Sequence, residues 1–117
     1  MKFELVRTEP RFIVVRLIGS LDMTTVGEIE KEFLILTVDS GKNVIIDLTQ
    51  VKFLASMGLS LFLHAAKGLQ RRGLRLVLTN PQPLISEAIR ASRLSSLLPV
   101  VQNEAEALRL FTVPEGA

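Results

Sequence analysis

The stretch Val44-Ile45-Ile46-Asp47-Leu48 constrains the fold more than any other part of the chain. Its apolar run is almost continuous, so a strand formed by it cannot turn one face to water and is buried on both. Burial on both faces requires helices packed on the sheet, and the neighbouring sequence supplies them. Upstream, Val26, Ile29, Phe33 and Leu34 or Leu36 recur at spacings of three and four, with Glu28, Glu30, Lys31 and Glu32 on the other side. That spacing predicts an amphipathic helix from about Met23 to just before Asp39-Ser40-Gly41, with Asp22, Thr24 or Thr25 as its cap. Downstream, Leu59, Phe62, Ala66 and Leu69 form a second stripe, widened by Leu63 and Ala65. It predicts a helix from about Ser56 to Arg72, stopped by Gly73.

The remaining elements follow from shorter patterns. Residues 3–7 alternate, Thr8-Glu9-Pro10-Arg11 is a turn, and residues 12–18 are rich in β-branched side chains. Together they predict an antiparallel hairpin whose second strand ends at Gly19 and Ser20. Residues 49–53 predict a loop and residues 74–79 a fourth strand. Asn80-Pro81 opens a third helix that carries Leu84, Ile85, Ala88 and Ile89 to about Arg93. Residues 98–101 predict a short last strand, and Asn103 caps a final helix bearing Ala107, Leu108 and Phe111. The tail, residues 113–117, is expected to fray. The order β-β-α-β-α-β-α-β-α predicts one α/β domain over residues 1–117. Its mixed sheet is mostly parallel, with the N-terminal antiparallel hairpin at one edge and about four helices.

Composition removes much chemistry. The chain has 117 residues, 48% of them hydrophobic, which suits one compact core. No apolar run approaches the roughly 20 residues of a bilayer helix, so membrane insertion is not expected. Met1-Lys2-Phe3-Glu4 lacks the apolar stretch of a signal peptide, which makes the cytoplasm the expected location. With no cysteine there is no disulfide, thiolate nucleophile or Cys-based metal site, and the one histidine, His64, has no second imidazole to share a metal with. A net charge of +2 is too small to argue for direct nucleic-acid binding. No phosphate-cradling loop or metal-ligand spacing occurs, so no cofactor is expected.

Function must then come from a surface, a hydroxyl or a carboxylate. Ser56 lies where a loop after a buried strand becomes a helix. The free amides and positive dipole of a helix start tolerate an anionic group there. A phosphate on Ser56 would add about −1.5 to −2 charge and still block a docked partner. Gly58 would let another backbone approach closely. The alternative reading makes Ser56 a helix cap and Gly58 a packing glycine. Asp47 ends a strand in this reading, and Asp22 and Asp47 would form a paired-carboxylate site near Ser56 if their strand ends were adjacent. Capping and loop hydrogen bonds explain each aspartate equally well. His64 reads as a surface or half-buried histidine, and Lys67, Arg71, Arg72 and Arg75 as a solvated helix end.

Residues 44–59, Val-Ile-Ile-Asp-Leu-Thr-Gln-Val-Lys-Phe-Leu-Ala-Ser-Met-Gly-Leu, resemble the signature of STAS domains, the anti-sigma factor antagonist family. That signature is a strand ending in Asp-Leu-Ser/Thr, a short loop, and Asp-Ser-Ser-Gly-Leu opening a helix. Gly19-Ser20-Leu21-Asp22 is similar to the family's Gly-x-Leu-Asp, and residues 75–80 and 98–100 resemble its fourth and last strands. The resemblance implies that Ser56 is the phosphoacceptor of a partner switch. Unphosphorylated, such a domain binds an anti-sigma factor, commonly a serine-protein kinase, and frees the sigma factor. The kinase phosphorylates the serine, binding ends, and a phosphatase restores it. The implied contact surface comprises Ser56, Ala55, Met57 and Gly58, with Asp22, Met23, Thr24, Thr25, Thr49 and Lys52 in the neighbouring loops.

Two positions depart from the signature: Ala55 replaces the usual acidic residue and Met57 the second serine. The first removes a carboxylate beside the phosphate, and the second adds an adaptable apolar contact. The same fold also suits a soluble regulatory subunit of a membrane transporter, such as a lipid-transport ABC complex. An enzyme built on Asp22, Asp47 and Ser56 is a third reading, but the serine has no evident activating base. On the leading reading the protein catalyses nothing itself.

Overall fold

The computed structural model of the chain describes residues 2–94 and 96–112. Residues 113–117, expected to fray, lie outside the described residues. The elements run β1 (Lys2–Thr8), β2 (Phe12–Leu21), α1 (Met23–Val38), β3 (Asn43–Leu54), α2 (Ser56–Gln70), β4 (Leu76–Thr79), α3 (Pro83–Ala91), β5 (Val100–Val101) and α4 (Glu104–Thr112). The strands form one sheet in sequence order, with β1 antiparallel to β2 and the other three pairings parallel. This is the mixed α/β fold with four helices that the sequence pattern predicts.

The central strand is buried on both faces, as its apolar run requires. Val44, Ile46 and Leu48 join a core with Val26, Ile29 and Phe33 of α1, Phe62 and Leu69 of α2, and Ile85 and Ile89 of α3. Ile45 turns the other way and packs with Val14, Val77 and Ala107, the buried residue of α4. Three helices therefore cover one face and α4 the other. Phe33 and Phe62 are fully buried with ring centroids 6.3 Å apart, and Phe3 meets Phe33 edge-on at 6.0 Å. Truncating either central ring to alanine would cost about 3–5 kcal/mol.

Several boundaries differ from the sequence expectation, and the differences have a common cause. β2 does not end at Gly19 and Ser20 but continues to Leu21, and residues 49–53 are strand, not loop. The two strands stay paired to their ends, Leu21 opposite Leu54. Register slips between Arg16 and Ile18 and again between Gly19 and Ser20 accommodate two extra residues on β3. Each slip breaks the two-residue periodicity, leaving Val51 and Leu54 buried but Thr49, Gln50, Lys52 and Phe53 exposed. β4 pairs with β3 only from Val44 to Asp47, so the rest of β3 has a strand neighbour on the β2 side alone.

The smaller shifts are local. Pro83 occupies the first turn of α3, and the extended Gln82 before it keeps Asn80-Pro81 out of the helix. α2 stops at Gln70, before the expected Arg72, and β4 and β5 are shorter than expected. The buried face of α2 contains Gly58 and Leu61, whereas Leu59 and Leu63 are half-buried. In α1, Thr37 rather than Leu34 or Leu36 is the buried residue one turn after Phe33, and its hydroxyl donates to the Phe33 carbonyl at 2.9 Å. Asn103 caps α4 as expected, its Oδ1 accepting from the Glu106 amide at 2.9 Å.

Gly58 is where α2 meets the paired strand ends. A Cβ there would stand 2.6 Å from Leu54 Cδ1 and 2.9 Å from Leu21 Cβ. Gly58→Ala should therefore lower stability by about 1–3 kcal/mol, read as a lower urea midpoint. Gly27→Ala, on exposed α1 where a Cβ meets nothing within 4 Å, should be neutral or stabilising by up to about 1 kcal/mol.

Candidate functional site

The paired ends of β2 and β3 set two helix starts side by side. The Ala55 amide donates to the Leu21 carbonyl at 2.9 Å, holding the residue before α2 against the residue before the cap of α1. Asp22 caps α1 in a reciprocal box: its Oδ1 accepts from the Thr25 amide and the Thr25 hydroxyl accepts from the Asp22 amide, both at 3.0 Å. The Thr25 hydroxyl also donates to the Ser20 carbonyl at 2.7 Å. The hydrogen bond from the Thr25 amide, above all, holds the Asp22 carboxyl below the usual carboxylate range.

The start of α2 is different. Its cap is Ala55, which has no side-chain acceptor, and no side-chain hydrogen bond closes the helix start. Ser56 is the first helical residue and is exposed, so it is not the N-cap that the alternative reading requires. Three large apolar residues at or next to the two helix starts are exposed: Met23, the first residue of α1, by 71%, Phe53 near the end of β3 by 53% and Met57, which follows Ser56, by 44%. Thr24 and Lys52 are also exposed, whereas Thr25 is held in the cap and Gly58 is buried beneath the surface. Phe53 escaped the sequence reading because residues 49–53 lacked strand periodicity; a large aromatic in an assumed loop was the available signal.

Asp47 and Thr49 belong to a separate polar brace. Asp47 lies within β3, opposite Arg16 on β2 and Thr79 on β4, and Arg16 is itself opposite Glu4 on β1. The Arg16 Nε donates to Asp47 Oδ2 at 3.1 Å, and Arg16 Nη1 lies 3.5 Å from Glu4 Oε1. The Thr49 amide donates to Asp47 Oδ1 at 2.9 Å and its hydroxyl bonds the same oxygen. Gln82 Nε2 donates to the Thr49 carbonyl at 3.1 Å, tying the start of α3 to β3. Partial burial alone would raise the Asp47 pKa, but the Thr49 hydroxyl and amide and the Arg16 guanidinium outweigh it and bring the carboxyl below its usual range.

Asp22 and Asp47 do not meet. Asp22 follows Leu21, which is opposite Leu54, while Asp47 is seven residues back along β3, roughly 20 Å away at strand rise. The expected paired-carboxylate site is not formed. His64 is exposed on α2. The basic cluster is dispersed rather than continuous. The Arg72 guanidinium bonds the Val38 carbonyl at the end of α1, and Arg75 Nη1 donates to the Leu110 carbonyl of α4 at 3.1 Å.

A model of the STAS domain matches residues 5–107. The chain belongs to the STAS domain family. This bears out the resemblance carried by residues 44–59. The anti-sigma-B factor antagonist of Staphylococcus aureus is 27% identical to this STAS domain over 93 residues, covering 80% of this chain and 86% of that protein. Among solved structures, SpoIIAA of Bacillus in its phosphorylated form is 25% identical with a TM-score of 0.67, over 93% of this chain and 98% of that one. An anti-sigma factor antagonist from Mycobacterium paratuberculosis superposes with a TM-score of 0.79 at 22% identity, over 96% of each chain. Among the described residues of this STAS domain, no helix is long and apolar enough to cross a membrane.

The brace predicts an acid-side stability change. The folded Asp47 carboxyl holds its proton less tightly than the unfolded one, so stability is full above the ordinary carboxylate pKa and falls as pH drops through and below it. Asp47→Asn should be less stable than wild type by about 1–2 kcal/mol at pH 7. The gap should narrow in urea titrations taken down into the acid range.

Proposed function

We propose that this STAS domain is an anti-sigma factor antagonist whose docking to an anti-sigma factor is switched by phosphorylation of Ser56. The partner in this reading is a serine-protein kinase, a phosphatase reverses the modification, and the exchange takes place in the cytoplasm. The observation that carries the reading is the exposed, uncapped Ser56 at the first position of α2, with Met23, Phe53 and Met57 exposed at or next to the same pair of helix starts. The relatives named as antagonists support it over a transporter subunit, and a relative solved in phosphorylated form supports the chemistry.

The helix start suits both states. A phosphate on Ser56 gains favourable interaction with the first-turn amides and the dipole, worth about 0.3–1 kcal/mol when exposed, so α2 need not unwind. The first turn of α2 and its cap Ala55 carry no acidic residue, so the helix that bears the phosphate does not itself repel the added charge. A partner packed on the methionines and Phe53 would instead have to desolvate a dianion. That penalty releases the complex without refolding either protein. Ala55 fits this scheme as an extended cap residue that leaves the kinase one carboxylate fewer to recognise.

Phosphopeptide mass mapping after incubation with the co-purifying kinase and ATP should place one phosphate on Ser56. In calorimetry without ATP, Ser56→Asp should bind that kinase at least about tenfold more weakly than wild type, while Ser56→Ala should keep the affinity of the unphosphorylated wild type even after incubation with ATP. Equal affinity for Ser56→Asp and wild type would sink the switch, and a membrane ATPase as the only co-purifying partner would sink the antagonist reading itself.

A further inference from the structure

A groove of about 500 Å³ opens at the opposite end of the sheet from Ser56, where β2 and β3 begin and α4 ends. Pro10, Phe12, Leu108 and Phe111 provide its apolar wall, and Arg11 and Asn43 stand among them. Phe12 and Phe111 face each other at a tilt of 36°, with centroids 6.4 Å apart. The volume lies within the usual range for small-molecule sites, and such sites combine an apolar lining with a few polar groups that fix orientation.

The charges around it select a sign. Glu9, the acid on the rim, is already held by Arg7, whose Nε lies 3.3 Å from Glu9 Oε1. Arg7 also pairs with Glu104 at 2.6 Å and sits over the Phe12 ring, 5.5 Å from its centroid. The Lys42 ammonium donates to the Glu9 carbonyl at 2.8 Å, adding a second cation near the rim. Arg11 is exposed and makes no ion pair among the described residues. Asn43 is oriented by its Oδ1, which accepts from the Arg75 amide at 2.9 Å. Its Nδ2 donates to no group among the described residues. Three cations against two acids, with one guanidinium and one amide donor unsatisfied beside an aromatic wall, form a receptor for an anion with an apolar body.

We propose that this groove binds a small free carboxylate with an aryl or alkyl body. The apolar part lies against Phe12, Leu108 and Phe111, and the carboxylate is received by Arg11 with the Asn43 amide. The site is independent of the Ser56 switch: no residue is shared, and β3 runs the distance between them.

The test titrates the full-length, ¹⁵N-labelled protein with 4-phenylbutyrate and, separately, with the uncharged 4-phenylbutan-1-ol, following amide shifts by NMR. Saturable shifts at residues 11, 12, 43 and 108–112 are expected, with the carboxylate bound roughly tenfold more tightly than the alcohol. Arg11→Gln, at an exposed position that the fold does not use, should bring the carboxylate down to the affinity of the alcohol and leave the alcohol unchanged. Three results would each overturn the proposal: no saturable shift at these residues, equal affinity for acid and alcohol in the wild type, or shifts centred on Met23, Phe53 and Met57.

Discussion

The pairing of β2 with β3 carries through to Leu21 and Leu54, and the geometry of the functional end follows from it. Two parallel strands that finish together hand their chains to helices that start together. The single bond from the Ala55 amide to the Leu21 carbonyl fixes that junction, and Gly58 lets α2 settle directly onto both leucines. Without the strand pairing, α1 and α2 would still be amphipathic helices, but nothing would bring their two starts together. Packing of Phe33 against Phe62 then locks the two helices behind the junction.

A division of labour between the two helix starts emerges from their caps. Asp22 and Thr25 close the start of α1 reciprocally, each side chain accepting from the other's amide, so the carboxylate stands at the positive end of the helix dipole. Ala55 offers α2 no such partner, which leaves its first amides facing outward beside a hydroxyl. A bare helix start is less stable than a capped one by about 1 kcal/mol, and the antagonist reading gives that deficit a use: an arriving phosphate supplies the missing anion. The polar row from Glu4 through Arg16 and Asp47 to Thr49 lies lower on the sheet and ties three strands, β1, β2 and β3, together without including Ser56.

Much of this was legible in the sequence because long-range burial writes a local pattern. The apolar run at residues 44–48, the spacing of Val26, Ile29 and Phe33, and the Asp22 and Asn103 caps each specify their element without help from the rest of the fold. Ser56 at a strand-to-helix junction was legible for the same reason. The second half of β3 was not, since its two extra residues scramble the alternation that identifies a strand. Misplacing that strand also displaced Asp47, which looked like a strand end and is in fact mid-strand. The apparent convergence of Asp22 and Asp47 was a consequence of that one hidden irregularity. Arg72 and Arg75 read as parts of one solvated helix end because sequence proximity does not reveal that each reaches to a different helix.

The same irregularity has a meaning for life in a crowded cell. Beyond Asp47, β3 carries no strand on its β4 side; Gln82 occupies the Thr49 carbonyl there, but backbone without a strand partner still invites pairing with a passing chain. A flat edge next to exposed Phe53, Met57 and Met23 would be a nucleus for aggregation. Two bulges in quick succession twist the edge, and Lys52 projects a charge from it. On the antagonist reading, a chain that leaves Met23, Phe53 and Met57 uncovered until a partner docks is guarded against indiscriminate self-association by the very kinks that disguise its central strand.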